Sequence, residues 1–241
     1  MKKINFILFI MSLYILKRSL IKKLPPLDAD IVISPGGFKG LYSLGICHYI
    51  KNNFDISKKK IAGFSSGAFN SLFMTMNREK ENEFMRLMFG IKPRISIDKL
   101  LGTTVRILNN LKYEDVDLKR VKIGVTTSNG LKYFDNFLSL QDAIYCCKCS
   151  SFIPFVTCND IFLFYKNNLT LDGGIYYQMV KRNKIKGKLY ISTNMFGRYK
   201  CHMTEGLKRP TCSYYQLYLY GYNDARKNHD MLKAYFDESS S

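Results

Sequence analysis

Short apolar blocks recur along the chain and are separated by longer stretches in which apolar residues return every three or four positions. The short blocks predict strands over 30–34, 60–64, 121–127, 160–165 and 187–193, each bounded by Gly, Pro, Asn or charged residues. The longer stretches predict helices over 41–51 and 68–74, a lysine-bearing helical region over 78–120 broken at Pro93, and one long helix from 213 to 236. Strands that alternate with helices predict an α/β fold. The expected architecture is a three-layer α/β/α sandwich on a mostly parallel central sheet. Two parts are expected: a basic and apolar segment over 1–28, and a single domain over 29–241 that begins after Pro25-Pro26.

Composition changes this picture little. With 241 residues, 46% of them apolar, the chain suits one domain with a full core. Seven cysteines are an odd number and form no pair of Cys-x-x-Cys knuckles. Cys146, Cys147 and Cys149 fall within one predicted helix and cannot all face one metal, so buried thiols in a reducing compartment are expected. No metal-ligand set and no cofactor motif is visible.

The candidate chemistry lies where strands give way to helices. Gly63-Phe64-Ser65-Ser66-Gly67 follows a predicted strand and opens a predicted helix. A serine nucleophile needs glycines at that spacing, because the sharp turn that presents its hydroxyl leaves no room for neighbouring Cβ atoms. Alone, a plain turn serine explains the motif equally well. Ser34-Pro35-Gly36-Gly37-Phe38-Lys39-Gly40 occupies a second strand-to-helix junction. Consecutive glycines there can aim backbone N–H groups at one point, which suits a phosphate or the oxyanion of a tetrahedral acyl intermediate. The loop lacks the Gly-Lys-Ser/Thr ending of a nucleotide P-loop, and no acidic residue is spaced for ribose recognition. Leu171-Asp172-Gly173-Gly174 follows a further strand and sets a carboxylate at its end. Against that reading stands a turn or helix-capping Asp.

In this order, the three segments resemble the patatin-like phospholipase family. The resemblance runs from about residue 30 to residue 236. It implies a serine lipid acyl hydrolase of phospholipase A type with a Ser-Asp dyad. Ser65 falls on the nucleophile, Asp172 on the partner carboxylate, and Gly36, Gly37 and Phe38 on the oxyanion loop. Lys39, Gly40, Gly63, Gly67, Gly173 and Gly174 support the three motifs, with Lys39 reading equally as a solvated charge. Cys149-Ser150-Ser151-Phe152-Ile153-Pro154 looks like the family's Ala-Ser-x-Ala-x-Pro stretch, and Gly221-Tyr222-Asn223-Asp224 like a Gly-Tyr-x-Asp segment on a late helix. Pro35 departs from the pattern, standing where the family has its first Gly. Proline has no N–H to donate, so the hole would be built from Gly36, Gly37 and Phe38. The dyad also removes the need for any of the three histidines, His48, His202 and His229. An ordinary α/β-hydrolase with a Ser-His-Asp triad would need His202 or His229. A lipid-binding protein that keeps the fold without turnover is the other alternative.

Charge bears on the partner. The formal net charge is +18, with clusters at Lys17-Arg18, Lys22-Lys23, Lys58-Lys59-Lys60 and from Lys181 to Lys188. Such a field attracts anionic surfaces, each cation near an anionic leaflet contributing about 1 kcal/mol. No nucleic-acid module is recognisable, so an anionic membrane surface is the expected partner, with a phospholipid or another acyl-ester lipid as substrate. Residues 4–16 form an apolar run flanked by lysines and arginine. As a helix that run spans about 20 Å, short of the roughly 30 Å hydrocarbon core. It suits an interfacial anchor or a short signal-anchor, and equally a helix packed on the domain's own core. Membrane association on the cytoplasmic side is the expected location.

Overall fold

The computed structural model describes residues 24–92, 95–182, 188–200 and 203–238. The apolar run over 4–16, expected as an anchor, lies outside the described residues. Among the described residues no helix is long and apolar enough to cross a membrane.

Four parallel strands form the centre of the sheet: β1 (Ile31–Ile33), β2 (Ile61–Phe64), β3 (Val121–Thr127) and β7 (Leu189–Ile191), in the order β7-β1-β2-β3. Each of the three shorter strands is an apolar block, as a strand covered on both faces must be. Alternation then divides their side chains. Ile31, Ile33 and Ile61 enter the larger apolar cluster, while Val32, Ala62 and Phe64 enter a smaller one on the other face.

Helices α1 (Gly40–Asn53), α2 (Ser66–Thr75), α3 (Arg78–Phe89), α4 (Ile97–Leu108) and α5 (Leu140–Ser150) supply the larger cluster. The short α7 (Met203–Leu207) is followed by α8 (Tyr214–Lys227) and α9 (His229–Glu238), which complete that layer through Leu217, Tyr218 and Leu232 among others. The smaller cluster rests on α6 (Gly174–Arg182), through Tyr176, Tyr177 and Val180. Helices therefore cover both faces of the sheet, unequally. Helices α1 and α8 cross at a point that only glycine permits. A Cβ on Gly221 would stand 1.9 Å from the carbonyl oxygen of Tyr42, and one on Gly45 2.1 Å from that of Tyr218.

Several expectations are corrected. Strand β3 covers 121–127 as expected, the other four expected strands are shorter, and two more exist: β4 (Gly130–Phe134), antiparallel to β3, and β6 (Asn168–Leu171), antiparallel to β5 (Leu163–Tyr165). The long helix over 213–236 breaks at Asn228, whose side chain donates to the Asp224 carbonyl at 2.8 Å and so competes with the helical ladder. The region over 78–120 holds two helices, α3 and α4, followed by 3₁₀ turns at Tyr113–Asp115 and Leu118–Arg120. Phe84, Met88, Leu100 and Leu108 of that region are buried in the main cluster. Cys47 on α1 and Cys146, Cys147 and Cys149 on α5 are buried free thiols.

Register explains what the extra strands do. Residues Val121 to Gly124 of β3 pair with β2, but Thr126 and Thr127 pair with Leu171 and Thr170 of β6. Because β4 holds the other side of β3, β6 takes over the column that β2 vacates when its chain turns into α2. The β5–β6 hairpin thus stands at the C-terminal edge of the parallel strands. Strand β6 runs back down toward the end of β2.

Candidate active site

That arrangement brings Asp172 to Ser65. Ser65 follows β2 and caps α2 with φ 54° and ψ −127°, a left-handed backbone that a non-glycine residue adopts only under constraint. The constraint is steric. A Cβ on Gly63 would stand 2.2 Å from the Gly67 carbonyl oxygen, and one on Gly67 2.5 Å from that of Ile33. The Ser65 hydroxyl donates to Asp172 Oδ2 at 2.7 Å, across 107 residues of sequence. Ser65 is 7% exposed and Asp172 4%.

Asp172 is held on every side. Its second carboxylate oxygen accepts from the Gly174 N–H at 2.7 Å. Its N–H donates to the Phe152 carbonyl at 2.8 Å, and its carbonyl accepts from Thr126 Oγ1 at 2.9 Å. No cation is among these partners. Burial therefore dominates and pushes the carboxyl up from 3.8 to about 6, against the opposing hydrogen bonds from Ser65 and Gly174. A carboxylate so raised is a stronger base than one in water, and it sits in contact with the proton it would take.

Ser150 supports the nucleophile from below. Its hydroxyl accepts from the Ser65 N–H at 2.8 Å and donates to the Gly124 carbonyl at 2.8 Å, joining the turn to β3. The Ser150 carbonyl accepts from the Gly173 N–H at 2.8 Å, so one residue fixes both halves of the pair. The sequence had singled out the stretch from Cys149 to Pro154 without giving Ser150 a role. Thr126 carried no signal at all.

The glycine-rich loop lies alongside. Gly37–Lys39 is a 3₁₀ turn leading directly into α1, and Gly37 carries φ 54°. Lys39 N–H donates to the Gly36 carbonyl, and Gly40 N–H to the carbonyls of Gly37 and Phe38. The amides of Gly37 and Phe38 are the first of the turn and have no acceptor within it. Gly40 packs against the Ser66 side chain, which brings the N-termini of α1 and α2 together. Pro35 packs against Gly174, beside the carboxylate. Lys39 is not a solvated charge: it is nearly buried, lies 3.1 Å from Glu205 and stands over the Tyr199 ring. Glu205 and Gly206 belong to α7, whose backbone rests on Gly36 and Gly37. Glu205 also binds Lys208, and the two lysines hold its carboxyl down at about 2.

Neither the protein-family models nor the curated proteins compared with this sequence give a match. The site must therefore be argued from its own geometry.

The described histidines are engaged elsewhere. His48 contacts the Tyr218 hydroxyl at 2.7 Å and Glu81 at 2.8 Å, and His229 contacts the Tyr49 hydroxyl at 3.0 Å. His202 lies outside the described residues. Among the described residues, no group of three His, Cys, Asp or Glu side chains is arranged to hold a metal ion. The Gly221–Asp224 segment serves packing: Asp224 is clamped by Arg198 at 2.6 and 2.7 Å and accepts from Tyr42 at 2.9 Å.

Proposed function

We propose that the chain is a serine acyl hydrolase of the patatin-like class that cleaves fatty acyl esters of membrane phospholipids. One observation carries this reading: a serine on a strained strand-to-helix turn donates directly to a buried carboxylate that has no cation beside it among the described residues. In the reaction, Ser65 Oγ attacks the ester carbonyl carbon while its proton passes to Asp172 Oδ2. The carbonyl oxygen becomes an oxyanion facing the amides of Gly36, Gly37 and Phe38. The tetrahedral adduct collapses, the C–O bond to the alcohol breaks, and Asp172 returns the proton to the leaving oxygen. Water then attacks the acyl-serine with Asp172 as base, releasing the fatty acid and restoring Ser65. One oxyanion donor typically contributes about 2.7–4 kcal/mol to lowering the barrier, so the 3₁₀ turn must hold its amides rigidly. The contact of α7 and the Lys39–Glu205 pair support that rigidity. The net charge of +18 supports a negatively charged membrane as the place of action.

The test is fatty acid release from vesicles of mixed neutral and anionic phospholipid. The wild type should turn over, and Ser65→Ala and Asp172→Asn should each lose about 10²–10⁴-fold while still binding vesicles. A wild type that binds vesicles and releases nothing would overturn the hydrolase reading.

A further inference from the structure

The β5–β6 hairpin carries a feature that the dyad does not use. Among the described residues nine large apolar side chains are exposed, and four of them, Phe155, Ile161, Phe162 and Phe164, fall within ten consecutive positions. Scattered exposed apolar residues are ordinary, whereas a concentration of this kind marks a surface with a partner. Along β5, Leu163 and Tyr165 are buried while Phe162 and Phe164, two apart, are 62% and 58% exposed on the opposite side. Phe155 lies in the turn just before this segment, closed by a bridge between Pro154 and Cys158. Its backbone sits at φ 62°, a strained state for a bulky residue, and its ring is in solvent.

We infer that this aromatic face, formed by Phe155, Ile161, Phe162 and Phe164, enters the interfacial layer of an anionic lipid bilayer and sets the dyad against it. The occupant follows from charge and position. Asp160 is the only acidic residue between 155 and 164, in a chain of net charge +18. The flanking Lys148 stands 3.8 Å from Asp160, beyond hydrogen-bond length, so it can turn to a lipid phosphate, whereas Lys166 donates to the Asn136 carbonyl at 2.7 Å. The hairpin occupies the C-terminal edge of the sheet, and β6 leads from it directly into Asp172. Aromatic rings beside cations are suited to the boundary between headgroups and acyl chains. The inference thus sets a membrane contact at the rim of the active site. This inference takes its substrate from the hydrolase reading, but insertion itself needs no turnover.

The chain has no tryptophan, so a single introduced indole reports its own surroundings. Phe162→Trp is compared with Tyr113→Trp, which lies in a cleft with Lys60, Lys119 and Lys122. On adding vesicles of phosphatidylcholine and phosphatidylserine, the indole at 162 should shift its emission to shorter wavelength and become shielded from a neutral quencher, while that at 113 stays unchanged. Phe162→Ser and Phe164→Ser should each lower vesicle affinity about tenfold, with circular dichroism showing the fold retained. A wild type that binds vesicles while the indole at 162 remains water-exposed overturns the inference, as does a shift at 113 alone. Failure of the hydrolase reading shows separately, as a wild type that cleaves neither vesicle lipid nor a soluble short-chain ester.

Discussion

Two buried carboxylates in this molecule meet opposite fates. Asp172, at the C-terminal edge of the sheet, is bonded to a hydroxyl and an amide and has no cationic partner among the described residues. Glu81, on α3, lies 2.7 Å from the Lys51 ammonium and 2.8 Å from His48. Burial pushes both carboxyls up. At Asp172 nothing reverses the push, whereas at Glu81 the His48 and Lys51 hydrogen bonds more than reverse it and leave the carboxyl below its usual range. Burial of the Lys51 ammonium works against the same pair by lowering the lysine's own pKa, so the pair gains less by forming than it loses by being broken. The signs with pH are opposite. Glu81, lowered, lends stability above its ordinary 4.5 that is lost as pH falls. Asp172, raised, lends stability below its ordinary 3.8 that is lost as pH rises through about 6. A carboxylate with a cation is a pin, and one without a cation is a base.

Breaking the pin should cost most. Lys51→Met removes the cation that also donates to the carbonyls of Phe73 and Met76 at 3.0 and 2.7 Å, and strands Glu81. Denaturant unfolding at neutral pH should show a loss of about 3–5 kcal/mol. Asp172→Asn should do the reverse at pH 8. A rise from 3.8 to about 6 corresponds to about 3 kcal/mol that the ionised group costs the fold. The inactive variant should melt higher than the wild type at pH 8, and the gap should close below about pH 4. In the wild type the same group should make hydrolysis fall about tenfold per pH step below about 6. Equal melting temperatures at pH 8 would mean that Asp172 is not strained by its burial. Ser150→Ala should have the smallest effect, about 1–3 kcal/mol, because it leaves the Ser65 N–H and the Gly124 carbonyl without a partner. Its turnover should fall more than its melting temperature predicts, since Ser65 loses its anchor.

The residues of the pair were legible in the sequence because each lies in a motif whose glycines are needed locally. Gly63 and Gly67 around Ser65, and Gly173 after Asp172, mark positions where backbones nearly touch, and Gly174 leaves room for the Asp172 carboxylate and the Pro35 ring. The four parallel strands were legible for a similar reason, since apolar blocks covered on both faces leave a plain signal. What was not legible depends on distant partners. Ser150 meets Ser65 across 85 residues, and Lys39 meets Glu205 across 166, so neither neighbour's charge nor burial could be foreseen. Strand β6 is only four residues of mixed polarity, and its place follows from the vacancy β2 leaves at its turn. Strand β4 carries a signal of its own in the sequence, Asn129-Gly130 at a hairpin turn.

The thiols of α1 and α5 give the molecule an internal clock. Burial pushes Cys149 up to about 11 and raises Cys47, Cys146 and Cys147 as well, so these sulfurs stay protonated and silent toward alkylating reagents while the fold is shut. Helix α1 grows out of the glycine-rich turn and α5 ends in Ser150. The moments at which any of these thiols becomes reactive are therefore the moments at which the supports of the nucleophile come apart, and alkylation counts them one opening at a time.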